Sequence, residues 1–103
     1  MFKFLRNKKC EQCTGLKQTV LVENPNEFSS LIKRIKAEVE NGNLIALPPE
    51  NDGYQEEFHL VPNNAPWSDI VLNYFKCSNC NASFKMFADT YHGSKKNGWY
   101  CCK

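Results

Sequence analysis

A chain of 103 residues, 42% of them hydrophobic and 23% charged, is long enough for one modest core and too short for two. No apolar run approaches the ~18 residues of a membrane helix, and Met1-Phe2-Lys3-Phe4-Leu5-Arg6 has no apolar stretch behind it, so neither a span nor a signal peptide is expected. These features point to the cytoplasm, where the six cysteines favour metal binding over a disulfide framework, and a net charge of +2 is too slight to announce a nucleic-acid partner by itself.

In chain order the first feature is the hook Cys10-x-x-Cys13. Gln18–Glu23 is β-branched and reads as a strand. Asn24-Pro25-Asn26-Glu27 starts a helix, with Asn24 as N-cap, Pro25 at N1 and Glu27 placed to complete a capping box. Phe28, Leu31, Ile32, Ile35 and Val39 then fall on one helical face, and Asn41-Gly42 is an αL-tolerant stop. Leu44–Leu47 reads as a short apolar strand, and Phe58–Val61 as another. Asp69–Phe75 reads as a central strand leading into a second hook, Cys77-x-x-Cys80. Beyond it, Ala82, Phe84, Met86 and Ala88 alternate with polar residues, which favours a strand over a helix through Phe84, Phe87 and Tyr91. A polar turn around Gly93–Gly98 leads to Trp99-Tyr100-Cys101-Cys102. The expected fold is a single α+β domain over 1–103, one amphipathic helix packed on an antiparallel sheet.

Two CxxC hooks in a reduced environment suit one tetrahedral zinc site formed by Cys10, Cys13, Cys77 and Cys80, joining the N- and C-terminal parts. Cys101 and Cys102 are alternative ligands or small buried hydrophobes. A bridge between them is not expected, because adjacent Cα atoms lie about 3.8 Å apart, below the usual disulfide range. His92 is either a ligand or a turn residue. A redox role for the hooks would need the first cysteine at a helix N-terminus, and Thr14-Gly15 is poor helix material. Catalytic signatures are missing: there is no phosphate loop, nucleophile elbow or HExxH helix. Asp89 and His92 meet only in a turn, with Tyr91 expected in the core.

Charge is segregated. Residues 37–75 hold no Lys or Arg but carry Glu38, Glu40, Glu50, Asp52, Glu56, Glu57 and Asp69. Within that run, Glu50, Asp52, Glu56 and Glu57 beside Tyr54 would form a contact surface for a basic protein partner. The alternative is a nucleic-acid interface using Lys8, Lys9, Lys17, Lys76 and Lys85 around the hooks.

Cys10-Glu11-Gln12-Cys13-Thr14-Gly15 resembles a zinc-ribbon knuckle, in which the glycine eases a positive φ, and Cys77-Ser78-Asn79-Cys80-Asn81 resembles a second with Asn in that place. Phe75-x-Cys77-x-x-Cys80-x-x-x-Phe84, with Asp89-Thr90-Tyr91-His92-Gly93 and Trp99, is similar to small bacterial proteins, some of which resemble toxin-immunity proteins. That resemblance implies a stand-alone, non-enzymatic binding protein whose acidic surface masks a basic nuclease.

Overall fold

The computed structural model describes residues 10, 13–49, 56–91, 93 and 95–101. Among these residues, five strands and one α-helix follow in the order β1 (Val20–Leu21), α1 (Pro25–Glu40), β2 (Leu44–Ala46), β3 (Ile70–Cys77), β4 (Ser83–Asp89) and β5 (Gly98–Cys101). The strands form one antiparallel sheet ordered β1-β5-β4-β3-β2. The α+β architecture expected from periodicity is therefore the one the chain adopts.

Helix α1 begins where the sequence marks it. Asn24 is extended, and its side chain accepts the Glu27 N–H at 2.9 Å. Glu27 reaches back one residue further than a capping box requires, its carboxylate accepting the N–H of Glu23 at 2.7 Å. At the other end Asn41 caps the helix, and Gly42 at φ 83° turns the chain into β2. Phe28, Leu31, Ile32 and Ile35 are buried, each contributing roughly 1.5–3 kcal/mol on full burial. Ser29 is buried with them because its hydroxyl donates to the Asn64 side chain at 2.7 Å.

The sheet buries alternate residues against that helix. Val71, Asn73, Phe75 and Cys77 from β3, and Phe84, Met86 and Ala88 from β4, point inward. Trp99 of β5 lies between Phe84, stacked at 5.2 Å, and Phe75, tilted at 5.3 Å. Phe58 meets Phe75 edge-on at 4.8 Å.

Three expectations are corrected. Phe58–Val61 is not a strand: Phe58–Leu60 form a 3-10 turn, closed by bonds from Leu60 N–H to Glu57 and from Val61 N–H to Phe58. Three-residue spacing sends Phe58 and Val61 into the core and leaves Leu60 59% exposed, where strand alternation would have paired Phe58 with Leu60. β1 spans two residues rather than six, since the chain leaves the sheet for Asn24; pairing continues only through Val22 N–H to Asn97. Tyr91 is not in the core but 71% exposed.

Gly98 decides how β1 joins the sheet. Its φ is 153°, and a Cβ there would lie 2.1 Å from the Val20 carbonyl oxygen. Replacing Gly98 by Ala should therefore prise β1 from β5 and destabilise the protein by roughly 1–3 kcal/mol. Urea unfolding is the measurement, and an unchanged midpoint would contradict this account of the β1 edge.

Candidate metal centre

The second hook is the turn of the β3–β4 hairpin. Cys77 ends β3, its N–H bonds to the Ala82 carbonyl at 2.9 Å, and Asn81 N–H returns to Cys77 at 3.0 Å. Asn81 takes φ 67°, the left-handed place expected for it. Ser78 ties this turn to the end of α1, its hydroxyl donating to Gly42 at 2.6 Å and its N–H to Asn43 at 3.1 Å.

The first hook is held from three sides. Cys13 N–H bonds to Cys10 at 3.2 Å, and a 3-10 turn over Thr14–Leu16 follows. Trp99 donates its indole N–H to Leu16 at 2.8 Å, and Arg34 donates to Gly15 at 2.8 Å. The Thr14 hydroxyl bonds to Cys10. Gly15 does not carry the positive φ that the knuckle resemblance assigned to it; it sits inside the 3-10 turn, and among the described residues the positive-φ glycines are Gly42, Gly93 and Gly98.

These anchors bring Cys10, Cys13, Cys77 and Cys80 together with all four sulfurs within 4.8 Å. Cys10 and Cys77 are 3.7 Å apart, and Cys13 and Cys80 are 3.6 Å apart. A tetrahedron of ~2.3 Å metal–sulfur bonds has edges of about 3.8 Å, so the spacing fits a four-thiolate metal site. All four are free cysteines; three are buried and Cys80 faces solvent.

Asn79, a residue that the sequence alone does not single out, serves both hooks. Its backbone N–H donates to the Cys77 sulfur and its side-chain amide to the Cys10 sulfur, each at 3.3 Å. A short amide inside a CxxC spacer is the signal that was available. Such N–H···S bonds stabilise thiolates and orient ligands. They draw the Cys10 thiol down to about 6, the Asn79 amide first, against the opposing pull of burial. The Cys13 thiol is pushed up, by burial first and then by the sulfurs of Cys77, Cys80 and Cys10. One thiolate forms readily here and the next is resisted, a conflict that a bound cation removes for all four.

Of the alternative ligands, Cys101 is disulfide-bonded and has no thiol to offer. Cys102 and His92 lie outside the described residues, as does part of the expectation that Cys101 and Cys102 stay unbridged. Neither hook opens an α-helix among the described residues, which removes the feature a redox CxxC needs. Asp89 is engaged in its own turn, its carboxylate accepting Tyr91 N–H at 3.2 Å. It lines a cleft of about 410 Å³ with Trp67, Asp69 and Tyr91, and no described cysteine reaches that cleft. Of the proposed acidic surface, Glu56 and Glu57 are described and locally partnered, Glu56 by the Ser68 hydroxyl at 3.3 Å and Glu57 by His59 at 3.3 Å. Glu50, Asp52 and Tyr54 lie outside the described residues, as do Lys8 and Lys9; Lys17 is exposed beside the first hook.

No family model, curated protein or solved structure matches the chain. The resemblance to toxin-immunity proteins therefore gains no support from relatives, and the four-cysteine cluster stands on its geometry. No described helix is long and apolar enough to cross a membrane.

In metal-free, reduced protein the Cys10 thiol should ionise near pH 6. Asn79→Ala should return it towards the ordinary thiol value of about 8.5, followed by ultraviolet thiolate absorbance against pH. Identical titrations of the two proteins would remove Asn79 from the site.

Proposed function

We propose that this chain is a non-enzymatic binding module stapled by one structural zinc ion on Cys10, Cys13, Cys77 and Cys80. The sulfur spacing carries this reading. Zinc matches it because soft thiolates in a tetrahedral array suit an ion with no redox chemistry and no geometric preference of its own. Four thiolates close the coordination shell, so the ion would supply no Lewis-acid position; its contribution is to hold the chain. With 63 residues between Cys13 and Cys77, closing that loop stabilises the fold by about 4 kcal/mol on the chain-entropy model.

Two partner classes follow from the sequence, and the geometry supports them unequally. A basic protein partner rests on the acid-rich run 37–75; of the contact surface expected within it, the described carboxylates Glu56 and Glu57 already have local partners. Nucleic acid is favoured by a specific observation: Lys76 and Lys85, from neighbouring strands, emerge on the same face of the sheet, opposite α1. We take nucleic-acid binding as the better supported reading.

Purified, reduced protein should contain about one zinc per chain by elemental analysis. Cys77→Ser should lose it and Cys101→Ser should keep it; the reverse result would reassign the ligands. Because Cys13 is held protonated without metal and must release its proton on binding, zinc affinity should fall as pH falls, and pH-independent affinity would contradict the thiolate assignment.

Chelation should lower the stability of the zinc-loaded protein by a few kcal/mol and loosen the hooks first. Amide exchange near Cys77 that does not respond to metal removal would show that the staple holds nothing. Separately, Glu56→Lys with Glu57→Lys should leave nucleic-acid binding intact or strengthen it; loss of binding would return the acidic run to the interface.

A further inference from the structure

We propose that the sheet face turned away from α1 is a platform for single-stranded nucleic acid, with Tyr74, Phe87 and Tyr100 stacking on bases and Lys76 and Lys85 holding phosphates. This deepens the nucleic-acid reading above and rests on it.

Strand parity defines the face. The residues of β3 and β4 that point to the helix are buried, so Leu72, Tyr74 and Lys76, and Lys85 and Phe87, point the other way and are half-buried. The pairing registers then set their order. Tyr74, Lys85 and Tyr100 form one row across β3, β4 and β5. Leu72, Phe87 and Gly98 form the next, and Lys76 pairs Ser83 in the row on the other side. With strands about 4.8 Å apart, Tyr74 and Tyr100 stand roughly 10 Å from each other with a lysine between them. Phe87 occupies the adjoining row, beside the buried Gly98, with Leu21 of β1 beyond it in the same row.

Charge and order on this face suit a polyanion. The three rows hold Lys76 and Lys85 and no acidic residue; Asp89 lies beyond them at the end of β4, turned into its bond with Tyr91 N–H. The Lys85 ammonium sits 5.2 Å from the centre of the Tyr100 ring, so charge and aromatic surface are held together. The Tyr100 hydroxyl bonds to the Lys96 carbonyl, which fixes the exposed Lys95-Lys96 turn at the margin of the same face. No described helix or strand packs over it, because α1 spends its apolar stripe on the opposite side.

Rings on an open sheet with lysines between them match an unpaired strand. Its bases offer π-faces to stack on and its backbone offers phosphates, whereas a duplex keeps its bases stacked inside. An acidic protein would satisfy the lysines and leave the three rings without a role.

The test uses zinc-loaded full-length protein and fluorescence anisotropy with labelled oligo-dT and oligo-U of about ten nucleotides, a matched duplex, and oligo-glutamate as competitor. Single strands should bind in the micromolar range at low salt, more tightly than the duplex, and oligo-glutamate should compete poorly. Tyr74→Leu and Tyr100→Leu should each weaken binding roughly 5- to 100-fold, and Tyr74→Phe should restore it. Lys76→Gln should lower the slope of log affinity against log salt by about 0.7.

The platform is overturned by no binding at about 100 µM protein, by preference for duplex or oligo-glutamate, or by tyrosine variants that bind like the parent. Zinc content and circular dichroism on the same samples separate the two readings. Lost binding with zinc retained removes the platform alone, and lost zinc with binding retained removes the staple alone.

Discussion

The structure depends on four sulfurs meeting at one point. Cys10 and Cys13 come from the start of the chain and Cys77 and Cys80 from the turn of its longest hairpin, yet the pairs across the hooks are 3.7 and 3.6 Å apart. Four thiols at that spacing are a poor arrangement by themselves. The Asn79 amide draws the Cys10 thiol down, while burial and the neighbouring sulfurs push the Cys13 thiol up, so the two shift in opposite directions. The arrangement makes sense as the negative of a tetrahedral ion. What holds the sulfurs there is ordinary packing: Trp99 bonded to Leu16, Arg34 to Gly15 and Ser78 to Gly42 bind both hooks to the helix and sheet.

That constraint reaches the proposed binding face through the backbone. Cys77 is the last residue of β3 and Lys76 its neighbour, so an ion at the hooks would fix the end of the strand that carries Tyr74. Because side chains alternate, a one-residue slip of β4 against β3 would turn Lys85 and Phe87 into the core and Phe84 and Met86 out of it. The metal centre and the aromatic face are in this sense one device. The hairpin that presents the rings is closed by the knuckle that supplies half of the sulfurs.

The corrections share a cause, competition between local pattern and tertiary demand. Phe58–Val61 has strand-like composition, but the core admits Phe58 against Phe75 and then Val61, and only a 3-10 turn places residues three apart on one side. Gly15 has the conformational freedom a knuckle uses, yet its carbonyl is claimed by Arg34 of the helix. Tyr91 has core-like bulk, but it follows β4 into the turn and stays outside.

Sequence alone determined the features whose physics is local. Helix α1 was legible because Asn24, Pro25 and Gly42 mark its ends and Phe28 to Ile35 repeat at the helical period. Strand β3 was legible as an apolar and aromatic run leading into Cys77, β4 by alternation, and both hooks by the two-residue spacer that lets one ion reach a pair of sulfurs. Tertiary structure decided the rest. Strand order β1-β5-β4-β3-β2, the reach of Asn79 from the second hook to Cys10, and the row of Tyr74, Lys85 and Tyr100 all join residues distant in the chain. Register and strand order are set by which apolar faces can be buried together over the whole domain, and no window of neighbouring residues contains that information.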